Sequence, residues 1–212
     1  MGLYQLKAGT KDPQSPHDLD EIYHITRGKA EIQIGAKSYQ LGPGSIVFVR
    51  AEVNHKFHNI SEDLQTLVVF SKSTYRPEDP EGMVFNMPEL RSDAKPDENV
   101  WNQFMDVATM RFGLYLLPQK LGGDEPLVHE VDEINLVIRG SSQFSIDDKQ
   151  IEVHPGSIVW VKSGAKHNFH TIQDKDLEVL ILFHRRNWSS KKNPIQLGVR
   201  GNCPVILSEN SK

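Results

Sequence analysis

The sequence predicts an all-β protein made of two tandem sandwich or barrel domains. Three observations carry that reading: the chain repeats itself at a fixed offset, its apolar residues alternate with the period of a strand, and no stretch of either copy has a helical period.

Shifting the 212-residue sequence by 112 positions places His17 on His129, Asp20-Glu21-Ile22 on Asp132-Glu133-Ile134 and Arg27-Gly28 on Arg139-Gly140. The match continues without a gap. Pro43-Gly44-Ser45-Ile46-Val47 falls on Pro155-Gly156-Ser157-Ile158-Val159, Val49 on Val161, His55 on His167, and Phe57-His58 on Phe169-His170. On either side the register slips by one residue, so that Gly2-Leu3-Tyr4 answers Gly113-Leu114-Tyr115 and Phe70 answers Phe183. Loop changes of one residue account for both slips.

The first domain is assigned to residues 1–72, a connector to 73–100, and the second domain with a C-terminal tail to 101–212. The connector holds Pro77, Pro80, Pro88 and Pro96 among many charges. Its apolar groups Met83-Val84-Phe85 and Val100-Trp101 predict that part of it packs on a domain. Residues 100–112 precede the second copy and would supply a strand that the first copy lacks. The first would take that strand from the connector, from the tail around Val199 to Leu207, or from a partner chain, the last of which implies a homodimer.

Ala30, Ile32 and Ile34 alternate with Lys29, Glu31 and Gln33, and Gly35-Ala36-Lys37 follows as a hairpin tip. Ser142, Phe144 and Ile146 repeat the alternation up to Asp147-Asp148. Ile46 to Val49 is apolar on both faces, as in a fully covered strand.

Composition narrows the function. Lys plus Arg number 24 against 28 Asp plus Glu, a net charge of -4, which argues against a polyanion-binding surface. The basic run Arg185-Arg186-Asn187-Trp188-Ser189-Ser190-Lys191-Lys192 reads as a solvated loop, and no nucleic-acid partner is expected. Cys203 is the single cysteine, so no intrachain disulfide forms, and a reducing cytoplasm fits best. The apolar runs fall short of the roughly 20 residues of a membrane-spanning helix, and the first seven residues do not read as a signal peptide; no membrane partner is expected.

The chemistry lies in a triplet that occurs twice: His17, Glu21 and His55, then His129, Glu133 and His167. An extended chain covers about 13 Å over four residues, too far for two ligands of one ion, so the chain must fold back between His17 and Glu21. Asp18-Leu19-Asp20 is the expected turn. Two imidazoles and a carboxylate form the donor set of non-haem iron sites, with positions left open for substrate and dioxygen. Manganese, nickel and zinc also suit it, and for zinc water would complete the tetrahedron.

These residues resemble the cupins, whose motifs run Gly-x5-His-x-His-x3or4-Glu-x6-Gly and Gly-x5-Pro-x-Gly-x2-His-x3-Asn. The first copy reads His17-x3-Glu21-x6-Gly28 and the second His129-x3-Glu133-x6-Gly140. The other motif appears as Gly44-x5-Arg50-x-Glu52-x2-His55-x3-Asn59 and Gly156-x5-Lys162-x-Gly164-x2-His167-x3-Thr171. The resemblance implies a bicupin of two jelly rolls. Ser15 and Leu127 stand where the family's first histidine would be, which reduces each ligand set to two His and one Glu. The motif proline is Arg50 or Lys162, the turn glycine is Glu52 in the first copy, and Thr171 replaces the last Asn. These departures bear on turn geometry.

On strand parity, Tyr23 and Asn135 face the same way as the Glu two residues before them, and Phe57 and Phe169 share the parity of the second His. Tyr23 is the visible candidate for a catalytic proton-transferring side chain, absent from the second copy. His58 and His170 point to the outer face, Asp20 and Asp132 read as turn residues, and Trp101, Phe104, Trp160 and Trp188 as packing. The expected function is a metal-dependent enzyme, with Fe or Mn favoured, acting on a small chelating substrate such as a keto acid, a phenol or a sugar acid. Oxygenase chemistry leads; isomerase or decarboxylase chemistry, or a non-catalytic binding module for sensing or storage, are the alternatives.

Overall fold

A computed structural model describes residues 1–72, 78–92 and 94–184. The basic run from Arg185 to Lys192, Cys203 and the tail around Val199 to Leu207 lie outside the described residues. The described chain divides into two compact units, one within Met1–Glu89 and the other starting at Leu90.

In the first unit, strands β1 (Gly2–Leu6), β2 (Leu19–Arg27), β3 (Ala30–Ile34), β4 (Lys37–Leu41), β5 (Ser45–Val49), β6 (His55–His58), β7 (Leu64–Lys72) and β8 (Gly82–Asn86) form two sheets, ordered β1-β7-β2-β5-β8 and β4-β3-β6. Tyr23, Ile25, Val47, Val49 and Val68 of the larger sheet and Ala30, Ile32, Ile34 and Phe57 of the smaller share one buried core. Alternation is therefore the physical cause of the sandwich: every second residue of β3 is buried, and β5 is buried along its whole length. The two-residue turn Gly35-Ala36 closes the β3–β4 hairpin.

The second unit repeats this plan with β9 (Val100–Asp106), β10 (Met110–Leu117), β11 (Leu127–Val128), β12 (Asp132–Arg139), β13 (Ser142–Ile146), β14 (Lys149–Val153), β15 (Ile158–Val161), β16 (Lys166–His170) and β17 (Leu177–His184). Its sheets are ordered β15-β12-β17-β10-β9 and β11-β16-β13-β14. Trp101, Val137, Phe144, Val161, Phe169, Val179 and Phe183 belong to the core between them. The architecture is all-β, two jelly-roll sandwiches in tandem.

Two details differ from the sequence expectation. The expected turn at Asp18-Leu19-Asp20 is a bend at Asp18 alone; Leu19 and Asp20 already belong to β2, paired with Lys72 and Ser71. The connector does give the first unit a strand, one of the expected routes, but at a different edge from its counterpart. β1, β7, β2 and β5 correspond to β10, β17, β12 and β15, and each unit adds one strand, but on opposite edges: β8 beside β5, β9 beside β10. The segment expected to connect the copies thus contributes β8 to the first sheet and, among the described residues, leaves β1 as an edge. In the second unit β15 is an edge strand among the described residues, and Trp160, expected to pack, is 58% exposed there with Ile158 at 40%.

Candidate metal centres

Each triad bridges the two sheets of its own unit. Glu21 lies on β2 of the large sheet, His55 opens β6 of the small one, and His17 stands just before β2. Glu133 on β12, His167 on β16 and His129 between β11 and β12 repeat the arrangement. Within each triplet one donor atom per residue lies within 4.8 Å of the others. Donors bound to one ion at about 2.1 Å stand roughly 3–4.2 Å apart, so both sets fit a shared cation with small side-chain movement.

Backbone hydrogen bonds cause this convergence. Glu52 gives its N–H to the carbonyl of His17 at 2.7 Å, and Gly164 gives its own to His129 at 2.8 Å. Beside them the Asp20 carboxylate accepts the N–H of Ala51 at 2.9 Å, and Asp132 that of Ser163 at 3.0 Å. The loop before the second histidine is thus tied to the segment of the first, and the two aspartates act from inside the strand. Replacement of the motif glycine leaves the turn unchanged, because Glu52 takes the left-handed φ of 65° that Gly164 takes at 85°. Asn59 and Thr171 are left-handed as well, at 47° and 53°.

The second histidine of each triad is oriented for ligation. His55 Nδ1 lies 2.8 Å from the Val53 carbonyl and His167 Nδ1 3.0 Å from that of Ala165, so the N–H sits outward and the Nε2 lone pair faces the glutamate. His55 Nε2 is 3.4 Å from Glu21 Oε1, and His167 Nε2 3.4 Å from Glu133 Oε1. The first histidines differ: His17 turns Nδ1 to Glu21 at 2.5 Å, whereas His129 turns Nε2 to Glu133 at 3.5 Å. Each packs edge-on against a phenylalanine of the matching strand, His17 on Phe70 at 5.6 Å and His129 on Phe183 at 5.1 Å. Burial lowers the His129 pKa; at His167 burial acts the same way but is outweighed by the Glu133 carboxylate and the Ala165 carbonyl, which raise it.

Tyr23 is fully buried, and its hydroxyl donates to Glu21 Oε2 while lying 3.1 Å from His55 Nε2. Burial and the neighbouring carboxylate hold its pKa far above the usual phenol range. Asn135 takes its place in the second unit and donates from Nδ2 to Glu133 Oε1 at 2.6 Å. Glu133 Oε2 and Asn135 Oδ1 are buried and accept no hydrogen bond. An unsatisfied carboxylate oxygen 3.5 Å from one imidazole, on a carboxylate whose other oxygen lies 3.4 Å from a second, is what a cation site looks like before the cation is added. His58 and His170 point away from the triads, to Ser38 and Ser145.

One pair of residues escaped the sequence reading. Asp12 accepts the N–H of Phe57 at 2.9 Å and the Tyr4 hydroxyl at 2.6 Å; Asp124 accepts the N–H of Phe169 at 2.8 Å and bonds Tyr115. Burial pushes Asp124 up to about 6. The signal was available, since Asp12 and Asp124 are separated by the same 112 residues. Asp124, Trp101, Tyr115 and Phe183 wall the second triad into a cavity of about 20 Å³, room for roughly one water.

Comparison with known proteins follows the same lines. The cupin domain family profile matches at residues 2–70 and again at 114–183, more than half of the chain. A protein of Streptomyces coelicolor is 55% identical over 71 residues, 34% of this chain and 68% of that one. An acireductone dioxygenase of Leishmania infantum is 38% identical over 61 residues, 26% of this chain but 18% of its own length. Among solved structures, a putative glyoxylate-induced protein of Pseudomonas aeruginosa superposes with a TM-score of 0.73 at 14% identity, over 90% of this chain and 76% of that one. An oxalate decarboxylase of Bacillus subtilis gives 0.61 at 15%, over 85% and 67%. Identities this low show a shared fold alone.

Proposed function

The chain belongs to the cupin family, and on that premise we propose that it is a metal-dependent enzyme acting on a small organic acid or phenol that chelates through two oxygens. The observation that carries the reading is the pair of His-His-Glu sets, each with its donors within 4.8 Å. His17, Glu21 and His55 would hold one divalent ion, and His129, Glu133 and His167 another, with Fe or Mn favoured for this donor set. When bound, such an ion supplies Lewis-acid or dioxygen-activating chemistry. The protein's own residues orient the donors through the backbone carbonyls of Val53 and Ala165, and at Tyr23 keep a proton beside Glu21. Tyr23 is accordingly the proposed proton-transferring residue of the first pocket.

Oxygenase chemistry is favoured by the stretch shared with a dioxygenase, and decarboxylation of a small acid is the next option, from the fold shared with an oxalate decarboxylase. Leu3 on β1 and Ile158 and Trp160 on β15 are exposed apolar residues on sheet edges, which supports a homodimer. Among the described residues no helix is long and apolar enough to cross a membrane, and the single cysteine favours the cytoplasm.

A second reading has its own support: the 20 Å³ around the second triad admits no organic substrate unless its aromatic wall moves, as suits a metal-binding module without turnover. The test is incubation of Fe(II)- or Mn(II)-loaded protein with keto acids, catechols and sugar acids, followed by oxygen uptake and product mass spectrometry. Turnover confined to one substrate class, lost in both Glu21→Ala and Glu133→Ala or in one of them, supports the enzyme. Metal uptake without turnover on any class leaves the binding module.

A further inference from the structure

The two triads are not equivalent, and the difference lies in one side chain of each. Tyr23 and Asn135 occupy corresponding positions, and both donate to the glutamate two residues earlier. In the first unit that bond completes the carboxylate: Oε2 of Glu21 takes the phenol, and Oε1 is already held by His17 Nδ1 at 2.5 Å. The phenol oxygen also stands 3.1 Å from His55 Nε2 and occupies the space in front of that nitrogen. In the second unit Asn135 reaches Oε1 of Glu133 and leaves Oε2 buried, without a hydrogen bond, 3.5 Å from His129 Nε2.

From this, and resting on the reading of both triads as divalent-metal sites, we propose that the second triad takes up its ion first and more tightly, and that Tyr23 acts as a cap that a metal must displace at the first. A cation entering beside Glu133 meets an oxygen whose burial without a partner costs free energy, and relieves it. A cation approaching Glu21 meets an Oε2 already engaged by the phenol and competes with that hydrogen bond for the oxygen. A charge-assisted bond of that kind corresponds to roughly a ten- to hundred-fold difference in dissociation constant. The residue pair therefore sets which site is loaded at limiting metal, and occupation of the first becomes conditional on a ligand or substrate group that draws the phenol away.

The test uses the full chain stripped of metal and titrated with Mn(II), with free Mn(II) followed by electron paramagnetic resonance. Two classes of site are expected, differing by at least about ten-fold; Glu133→Ala should remove the tight class and Glu21→Ala the weak one. Tyr23→Phe keeps the ring against Phe57, at a centroid distance of 5.2 Å, but removes the hydroxyl, and should tighten the weak class about ten-fold. Equal affinities in the wild type, loss of the tight class in Glu21→Ala, or a weak class unmoved by Tyr23→Phe would each overturn the proposal while leaving metal binding intact. No Mn(II) bound by the wild type overturns the metal reading beneath it.

Discussion

Glu52 hands its backbone N–H to the carbonyl of His17 across 2.7 Å, and does so at a φ of 65° that L-residues other than Asn and Asp seldom adopt. The bond aligns the His17 segment with the strand of His55, so the turn is kept despite its conformational cost. Gly164 makes the same bond to His129 without that cost. Glu52→Gly is therefore expected to stabilise the protein by about 0.5–1 kcal/mol, less the entropy that glycine adds to the unfolded chain, with unchanged metal affinity. Urea unfolding of the two proteins checks it, and a lower midpoint for the glycine variant would refute it.

Asp12 holds the N–H of Phe57 and the Tyr4 hydroxyl together. Asp12→Ala leaves a buried N–H unpaired and should cost about 1–3 kcal/mol. Asp124→Ala should do the same through Phe169. Denaturation midpoints report both, and losses under about 0.5 kcal/mol would show the aspartates to be ornamental.

His24 sits on β2 with Ile46 and Leu67 as its cross-strand neighbours, and burial lowers its pKa from 6.5 to about 4. Between those values the unfolded chain binds a proton that the folded one refuses. Its contribution is thus intact above about pH 6.5 and is lost as the pH falls toward 4, by up to about 3 kcal/mol. His24→Leu should flatten that part of the stability profile, which urea midpoints at pH 7 and pH 5 would show; parallel profiles for the two proteins would contradict it.

Trp160 is exposed on the β15 edge. If that edge meets a second chain, light scattering will give the mass of a dimer, and Trp160→Glu will shift it to monomer. A wild-type monomer at micromolar concentration removes the homodimer from the account.

Much of this was legible in the sequence, because a repeat of 112 residues compares every position with a second example. His17, Glu21 and His55 stand out from other polar residues through their counterparts, and alternation in residues 29–34 marks a half-buried strand. The strand boundary at Asp20 did not show, since its short acidic side chain reads as a turn former until its bond to Ala51 is seen. Nor did the opposite edges chosen by β8 and β9, because each is a short apolar run whose partner is set by tertiary contacts. Asp12 lies outside any alternating run, and the one signal that marked it was Asp124 at the repeat distance.

The central claim is that each triad holds a divalent ion, and elemental analysis of protein purified without chelator and reconstituted with Fe(II) or Mn(II) tests it directly. The account predicts up to two ions per chain, one for each triad, with the count falling by one in Glu21→Ala and by one in Glu133→Ala. Wild-type protein that stays metal-free after reconstitution, or a count that neither substitution changes, would contradict it.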